Sequence, residues 1–322
     1  MRAIQAQAFG GPEALTLRDA AIPEPGPGQI RVRVAAIGLN FIEIYQRMGQ
    51  YKVALPWTPG SEAAGVVDAV GADVTDLKVG DRVAGASFTS AYAEYALAPA
   101  WGLVSVPEDV ELRVAAALML QGMTAHYLSH SVYPLKSGDT ALVYAAAGGA
   151  GGLLTQIAKL RGARVVGAVG SQAKVAEARG LGADEVFVYR QGDIAQTVRQ
   201  MNGGQGVQVV YDSVGKDTFD ASLGCLRPRG YMVLFGQSSG PVPPVDPQRL
   251  NSGGSLFLTR PTLAHYIATR EELLGRANDL FGWIAAGKLR VRIDRAFPLA
   301  QAPEAHAYLA SAAGMGKVIL EP

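Results

Sequence analysis

The sequence predicts an α/β protein that joins a doubly wound parallel sheet to a separate β-rich domain. Two changes of rhythm carry that expectation. From about residue 121 to about 260, short apolar runs alternate with helical patterns, as in βα units whose parallel sheet is covered on both faces. The first ~120 residues read mainly as β instead. The 39 glycines fall between apolar runs rather than in a tract, which punctuates a chain of many short turns.

The elements follow in order. Pro23-Glu24-Pro25-Gly26-Pro27-Gly28 is a rigid connection into Ile30–Ile37, whose partial period-two alternation fits a half-buried strand. Asn40–Met48 reads as one short helix with Asn40 as its cap. Ala63–Val70 is an apolar strand, and Val79–Val83 a turn feeding another. In the second half the expected strands are Thr140–Ala145, Ala163–Ala168, Val186–Tyr189, Val207–Tyr211 and Tyr231–Phe235. The helices between them are Gly149–Arg161, Lys174–Leu181 and Phe219–Leu226. A longer helix, Glu271–Ala286, and a closing strand, Lys317–Leu320, leave that alternation, so the last ~60 residues are expected to rejoin the N-terminal part.

Composition narrows the function. Hydrophobic residues make up 49% and charged residues 18%, ample for buried cores and unlike a disordered chain. A net charge of +1 gives no bulk attraction to nucleic acid or an anionic membrane. A lone cysteine, Cys225, excludes an internal disulfide framework and a multi-thiolate zinc site. No apolar run reaches the ~18 residues of a membrane span or resembles a signal peptide, so a cytoplasmic setting is expected.

The strongest local signal is the run from Thr140 to Leu153, in which a buried strand meets a small-residue turn that opens a helix. Ala146, Gly148 and Gly151 occupy the glycine slots of a dinucleotide fingerprint, with alanine in the first. Small residues let the backbone approach a pyrophosphate, and the amides at the helix start face its charge. NAD sites usually add an acidic residue about 20 positions on, to hold the ribose 2′-hydroxyl. Here none occurs between Asp139 and Glu177, while Lys174 follows the second strand and Tyr189-Arg190 the third. A cationic, donor-rich rim favours NADPH, whose extra phosphate it can bind.

The chemistry half offers little conventional catalytic equipment. His126 and His130 share a helix face, but no third metal ligand stands near them in sequence, and His265 and His306 are isolated. No serine triad or cysteine nucleophile is evident, and Cys225 reads as a small core residue. Hydride transfer needs only an acceptor carbon held against the nicotinamide and something to balance charge on oxygen. The polar candidates are Asn40, Tyr45, Tyr51 and Thr124, although spacing alone favours an ordinary structural role for each, Asn40 as a helix cap and Tyr45 as a snorkelling aromatic.

Long stretches in matching order resemble a known family. They are Gly38–Tyr45, Pro59–Gly65, Gln121–Ala125, Ala145–Gly151, Tyr211–Gly215, Phe235–Gly240 and Leu258–Pro261. The chain resembles the quinone oxidoreductases of ζ-crystallin type, in the zinc-free branch of the medium-chain dehydrogenases/reductases. The resemblance implies a GroES-like catalytic domain from residues 1–122 and 265–322, and a Rossmann-type NADPH-binding domain from residues 123–264. It places Asn40, Tyr45 and Thr124 toward the cofactor, with Asn40 and Tyr45 orienting the acceptor oxygen and Tyr51 bordering the substrate. Gly148, Gly149, Ala150 and Gly151 would cradle the pyrophosphate, Ala150 standing where valine is usual. Ser171, Lys174 and Tyr189 would meet the adenosine end and its 2′-phosphate, and Ser213, Phe235, Gly236, Leu258 and Thr259 would line the remaining groove. Zinc-containing relatives place cysteine near the Asn40 position and histidine at the Ser61 position, so no metal is expected. The tail Gly314–Lys317 matches no motif.

The expected function is NADPH-dependent reduction of quinones or related conjugated carbonyls by a homodimer, with solvent supplying the proton and no nucleic-acid or membrane partner. The alternatives are an enoyl or 2-alkenal reductase, and a nucleotide-binding non-enzyme of the crystallin or RNA-interacting kind.

Overall fold

The computed structural model describes all 322 residues and divides into two units. One comprises Met1–Gln121, Thr269–Ala286 and Val291–Pro322; the other comprises Gly122–Ala268 and Gly287–Arg290.

In the first unit a seven-stranded sheet is organised around Gln29–Gly38, which pairs antiparallel with Ala63–Val70, Tyr95–Pro99 and the C-terminal strand Lys317–Glu321. Ile30, Val32, Val34 and Ala36 point into the core, as the alternation requires, and Ile37 is buried as well. On the outer face Arg31 bridges Asp68 at 2.6 Å and Glu24 at 3.1 Å. The run Ala63-Ala64-Gly65 is small for a steric reason: a Cβ at Gly65 would collide with the backbone oxygen of Arg33 on the neighbouring strand. Leu320 stands opposite Ile37 and Ile319 opposite Gly38, so the last strand closes on the first half of the chain.

The helix Phe41–Arg47 follows the central strand. Its end is tied down by a buried polar chain. Arg47 Nε donates to Gly10 O at 3.2 Å, and a guanidinium N–H donates to His306 Nδ1 at 3.1 Å. The imidazole proton therefore sits on Nε2, which lies 3.0 Å from the Tyr92 hydroxyl. Burial, with Arg47 alongside, pushes the His306 pKa down to about 3.

In the second unit all six strands are parallel, and the doubly wound sheet expected from the sequence is present. In chain order they are Thr140–Tyr144, Arg164–Val169, Glu185–Val188, Val207–Asp212, Leu226–Leu234 and Phe257–Thr259. Their spatial order is third, second, first, fourth, fifth, sixth. Tyr231–Leu234 is the regular part of a longer strand than the sequence indicates. Its pairing with Val207–Asp212 shifts register before Tyr231, and Arg229 there adopts φ +60. Leu142, Tyr144, Val166, Val210, Phe219, Cys225 and Met232 belong to one continuous core. No helix is long and apolar enough to cross a membrane.

His306 gives the fold an acid limit. An unfolded imidazole takes a proton near pH 6.5, the buried one only near 3, so the unfolded state binds more protons between those values. Stability present above pH 6.5 is then lost on acidification, by about 3 kcal/mol at pH 4. Urea unfolding from pH 7 to pH 4 checks this: His306→Gln is expected to start less stable than the wild type and to lose less of its midpoint as pH falls.

Candidate functional site

In a parallel sheet every strand delivers its following loop to the same rim. The strand order reverses between Thr140–Tyr144 and Val207–Asp212, and such switch points open a crevice at the carboxyl ends of the strands. Most of the residues assigned from sequence to a cofactor follow strands of this sheet at that rim. Gly148–Gly151 follow the first strand, Ser171 and Lys174 the second, and Tyr189 the third. Ser213 follows the fourth and Phe235-Gly236 the fifth, while Leu258 and Thr259 end the sixth.

The first turn is shaped by close approach. Ala145 adopts φ +50, a conformation an L-residue enters at a cost of about 1–2 kcal/mol, so the sharpest bend falls one residue before the first fingerprint slot. Gly148 caps the helix Gly149–Leu160. The Gly152 N–H is the first to reach back, to Gly148 O at 2.8 Å, which leaves the amides of Gly149, Ala150 and Gly151 without a helical acceptor. A Cβ on Gly151 would strike the Ala145 and Tyr144 carbonyls, so glycine is obligatory where helix and strand meet. These features fit a pyrophosphate.

At the second strand's end Ser171 caps the short turn Gln172–Lys174. The Tyr189 ring lies beside Gly170, packs edge-on against Tyr144 at 5.6 Å, and carries the Arg190 guanidinium 5.9 Å from its centroid. This corner therefore combines a serine, a tyrosine, a lysine and an arginine. The fourth strand ends in a buried carboxylate, Asp212, which accepts from the Val214 and Gly215 amides at 2.8 and 3.0 Å. It also accepts from Thr218 Oγ1 at 2.8 Å and Ser222 Oγ at 2.9 Å. Burial raises its pKa while those donors oppose the rise. Asp212 thus fixes the turn that presents Ser213, and Gly236 is kept small by the Ser213 backbone beside it.

The other candidates sit in the first unit, apart from Thr124, which is buried in the helix Leu112–Tyr127. Asn40 caps Phe41–Arg47 as expected, and Glu43 returns a bond to the Asn40 N–H at 2.8 Å. Its side chain is locked further. Asn40 Nδ2 donates to Gly38 O at 3.2 Å and to Glu62 Oε2 at 2.9 Å, and Oδ1 accepts from Lys317 Nζ at 2.7 Å. Both amide hydrogens of Asn40 are therefore engaged within the protein. Tyr45 and Tyr51 meet edge-to-face at 5.6 Å, and the Tyr51 N–H donates to Tyr45 O at 3.3 Å. The Tyr51 ring is 38% exposed.

Sequence reasoning missed the centre of this cluster. Lys317 is 1% exposed, Glu62 is fully buried, and their charged atoms are 2.5 Å apart. The second Glu62 oxygen accepts the Leu120 N–H at 2.6 Å. Glu43, also buried, accepts the Asn40 N–H at 2.8 Å and the N–H of its own residue, and lies 3.4 Å from the Ser61 hydroxyl. Burial pushes its pKa up to about 7, against the pull of Lys317. The available signal was a lysine heading the apolar run Val318-Ile319-Leu320. No group of three His, Cys, Asp or Glu side chains is arranged to hold a metal. The His126 and His130 rings stack at 4.1 Å, and Cys225 is a buried thiol pushed up to about 12 by burial.

Comparisons with known proteins agree with this layout. A family model described as alcohol dehydrogenase GroES-like domain matches residues 26–108, and one described as zinc-binding dehydrogenase matches residues 181–320. The chain is 46% identical over 321 residues to a quinone oxidoreductase of Pseudomonas aeruginosa, covering 99% of each. A 2-haloacrylate reductase of a Burkholderia species is 42% identical, over 97% of this chain and 96% of that protein. A mycobacterial protein solved in complex with NADPH superposes with a TM-score of 0.98 at 48% identity, over 100% of both chains. The zinc in the second model's name finds no matching donor set here: beside Asn40 stands an ammonium, already bonded to the Glu62 carboxylate.

Removing that ammonium would strand a buried charge. Lys317→Met is expected to cost about 3–5 kcal/mol, because Glu62 keeps its burial and loses its cation. Chemical denaturation should show part of the loss recovered in Lys317→Met/Glu62→Gln; no difference between the single and double variants would contradict the pairing.

Proposed function

The chain belongs to the ζ-crystallin-like quinone oxidoreductases of the medium-chain dehydrogenase/reductase family, and from that premise we propose that it is an NADPH-dependent, zinc-independent reductase of quinones. Its fold is the one this family carries, a Rossmann-type parallel sheet with a GroES-like β-rich domain. The observation that carries the cofactor reading is the rim corner of Ser171, Lys174 and Tyr189, where no carboxylate stands to take a ribose 2′-hydroxyl. A 2′-phosphate suits that corner, and the three amides opening Gly149–Leu160 suit the pyrophosphate.

NADPH, when bound, supplies a hydride to the acceptor. The chain's own residues hold and orient. Asp212 keeps Ser213 in place, and Tyr45 and Tyr51 offer hydroxyls to the acceptor oxygen. Asn40, immobilised by Lys317 and Glu62, contributes a carbonyl that accepts rather than donates. The likeness to a 2-haloacrylate reductase gives a second reading some weight, reduction of an activated C=C bond by the same hydride. The enzyme works as a homodimer through the free edge of the parallel sheet. There Phe257 is 50% exposed and stacks on Tyr231 at 4.5 Å, with Tyr133 at 5.0 Å from Tyr231. A cytoplasmic setting suits its one thiol, which is free.

NADPH oxidation with 1,4-benzoquinones, 9,10-phenanthrenequinone, 2-alkenals and 2-haloacrylate tests the substrate class. Turnover with quinones is expected to be fastest; turnover with alkenes alone would move the assignment to the second reading. In calorimetric titrations Lys174→Glu should weaken NADPH by roughly 10- to 100-fold and leave NADH nearly unchanged, the size of a lost charge-assisted hydrogen bond. Equal weakening of both coenzymes would count against a 2′-phosphate at Lys174. Phe257→Asp is expected to convert the dimer to monomer in sedimentation; a wild type already monomeric at micromolar concentration would dispose of the edge interface.

A further inference from the structure

We propose that Glu43 is the proton donor to the reduced acceptor, passing its proton through the Ser61 hydroxyl. The proposal rests on the quinone-reductase reading above and departs from the expectation that bulk solvent protonates the product.

The geometry distinguishes two buried carboxyls. Glu62 is met by the Lys317 ammonium at 2.5 Å, by Asn40 Nδ2 and by the Leu120 amide, a set that stabilises a carboxylate. Glu43, 1% exposed, has no cation in contact. Its Oε2 accepts the Asn40 N–H at 2.8 Å, and its Oε1 lies 3.4 Å from Ser61 Oγ. One cation thus serves two acids, and its bonds go to Glu62 and Asn40. A second negative charge here would stand unneutralised beside the first, so Glu43 holds a proton. That proton belongs on Oε1, since Oε2 already accepts, and from Oε1 it points to Ser61.

The surrounding titratable groups agree. Burial and, to a smaller extent, Glu62 favour the protonated form of Glu43, while Lys317, its own N–H and the Asn40 N–H oppose it. Tyr92, another nearby ionisable side chain, is held neutral by burial and by Glu62. Arg47 is directed to His306 and Gly10. Ser61 is half-buried, and its main chain is anchored by the Phe88 N–H at 3.0 Å. It is the hydroxyl that joins the buried acid to less buried surroundings, and Tyr45 lies two residues beyond Glu43 on the same helix.

The step balances. Hydride transfer from NADPH brings two electrons and one hydrogen to the quinone and leaves a hydroquinone anion. The Ser61 O–H breaks as its proton moves to the anionic oxygen, and the Glu43 O–H breaks as its proton moves to Ser61 Oγ. The serine is restored and Glu43 is left as a carboxylate, which water reprotonates before the next turnover.

Glu43→Gln keeps the acceptor for the Asn40 N–H and removes the acid. Its kcat for a benzoquinone at pH 6 is expected to fall roughly 100-fold with NADPH affinity unchanged, the usual size of a lost general acid. The wild-type decline of kcat through neutral pH should vanish in Glu43→Gln and in Ser61→Ala, and Ser61→Thr should recover what Ser61→Ala loses. Independently of turnover, the wild type minus Glu43→Gln infrared difference spectrum should contain a protonated-carboxyl band at pH 6 that fades by pH 8. An undiminished kcat with the pH limb intact in Glu43→Gln, or no such band at pH 6, overturns the proposal while leaving the quinone-reductase reading standing. A wild type that oxidises NADPH with no quinone overturns both.

Discussion

One buried ammonium organises the first unit. Lys317 arrives on the last strand of the chain and reaches Asn40 and Glu62, 277 and 255 residues away in sequence. Burying a charge is expensive unless a counter-charge and hydrogen bonds meet it, so the last strand, the loop before Ala63–Val70 and the start of Phe41–Arg47 must come together. The same contact fixes the amide of Asn40 and decides which of two acids is ionised. Burial leaves Glu43 with a folded pKa near 7, above its unfolded value of about 4.5, against the pull of Lys317. The stability tied to Glu43 is therefore complete below 4.5 and is lost as pH rises through 7. That slope opposes the one from His306, so two buried groups on neighbouring helices bound the pH range of the fold from opposite sides.

The second unit solves a different problem. Parallel strands joined by helices deliver every following loop to one edge, so residues from 148 to 259 meet on a single rim without long-range side-chain contacts. Close backbone approach at Gly151 and a buried carboxylate at Asp212 then set two of those loops. Holding a coenzyme is thus a property of topology and small residues. The charge cluster of the other unit depends instead on side chains far apart in sequence.

This difference explains what the sequence made legible. Ala63–Val70 was readable to the residue, and Asn40 as a helix cap, because strand periodicity and capping are local. The parallel sheet followed from βα alternation, and the glycine turn from its strand–turn–helix setting. Lys317, Glu62 and the Arg47–His306–Tyr92 chain were invisible, since their partners lie hundreds of residues apart and a lone lysine or histidine reads as surface. The helix Ile194–Met201, capped by Asp193, went unplaced beneath a polar stretch although Ile194 and Val198 give it a buried face. The positive φ of Ala145 left no mark at all, because alanine is not a residue that announces it. Asn40 shows the limit most clearly: sequence could place it at the start of a helix, but only its partners reveal that its hydrogens are taken.

The acceptor proposed here makes a metal unnecessary on chemical grounds. Reducing an ordinary carbonyl puts charge on an alkoxide, which calls for a Lewis acid or a strong donor. Reducing a quinone instead creates an aromatic ring and a phenolate, whose conjugate acid resembles tyrosine with a pKa near 10. An acid near 7, as Glu43 is, transfers its proton to such an anion downhill by about 3 pKa units, or about 4 kcal/mol. The same acid would scarcely have been available had Lys317 faced Glu43 in place of Glu62, for a contacting ammonium would have held it ionised. An alkene acceptor makes a different demand, because its proton must reach carbon and so must arrive at a defined position rather than at any exposed oxygen lone pair. A hydroxyl such as Ser61 can serve an oxygen through small rotations of its O–H. An acid placed behind a serine would therefore suit the proposed quinone acceptor, whose product anion presents an oxygen.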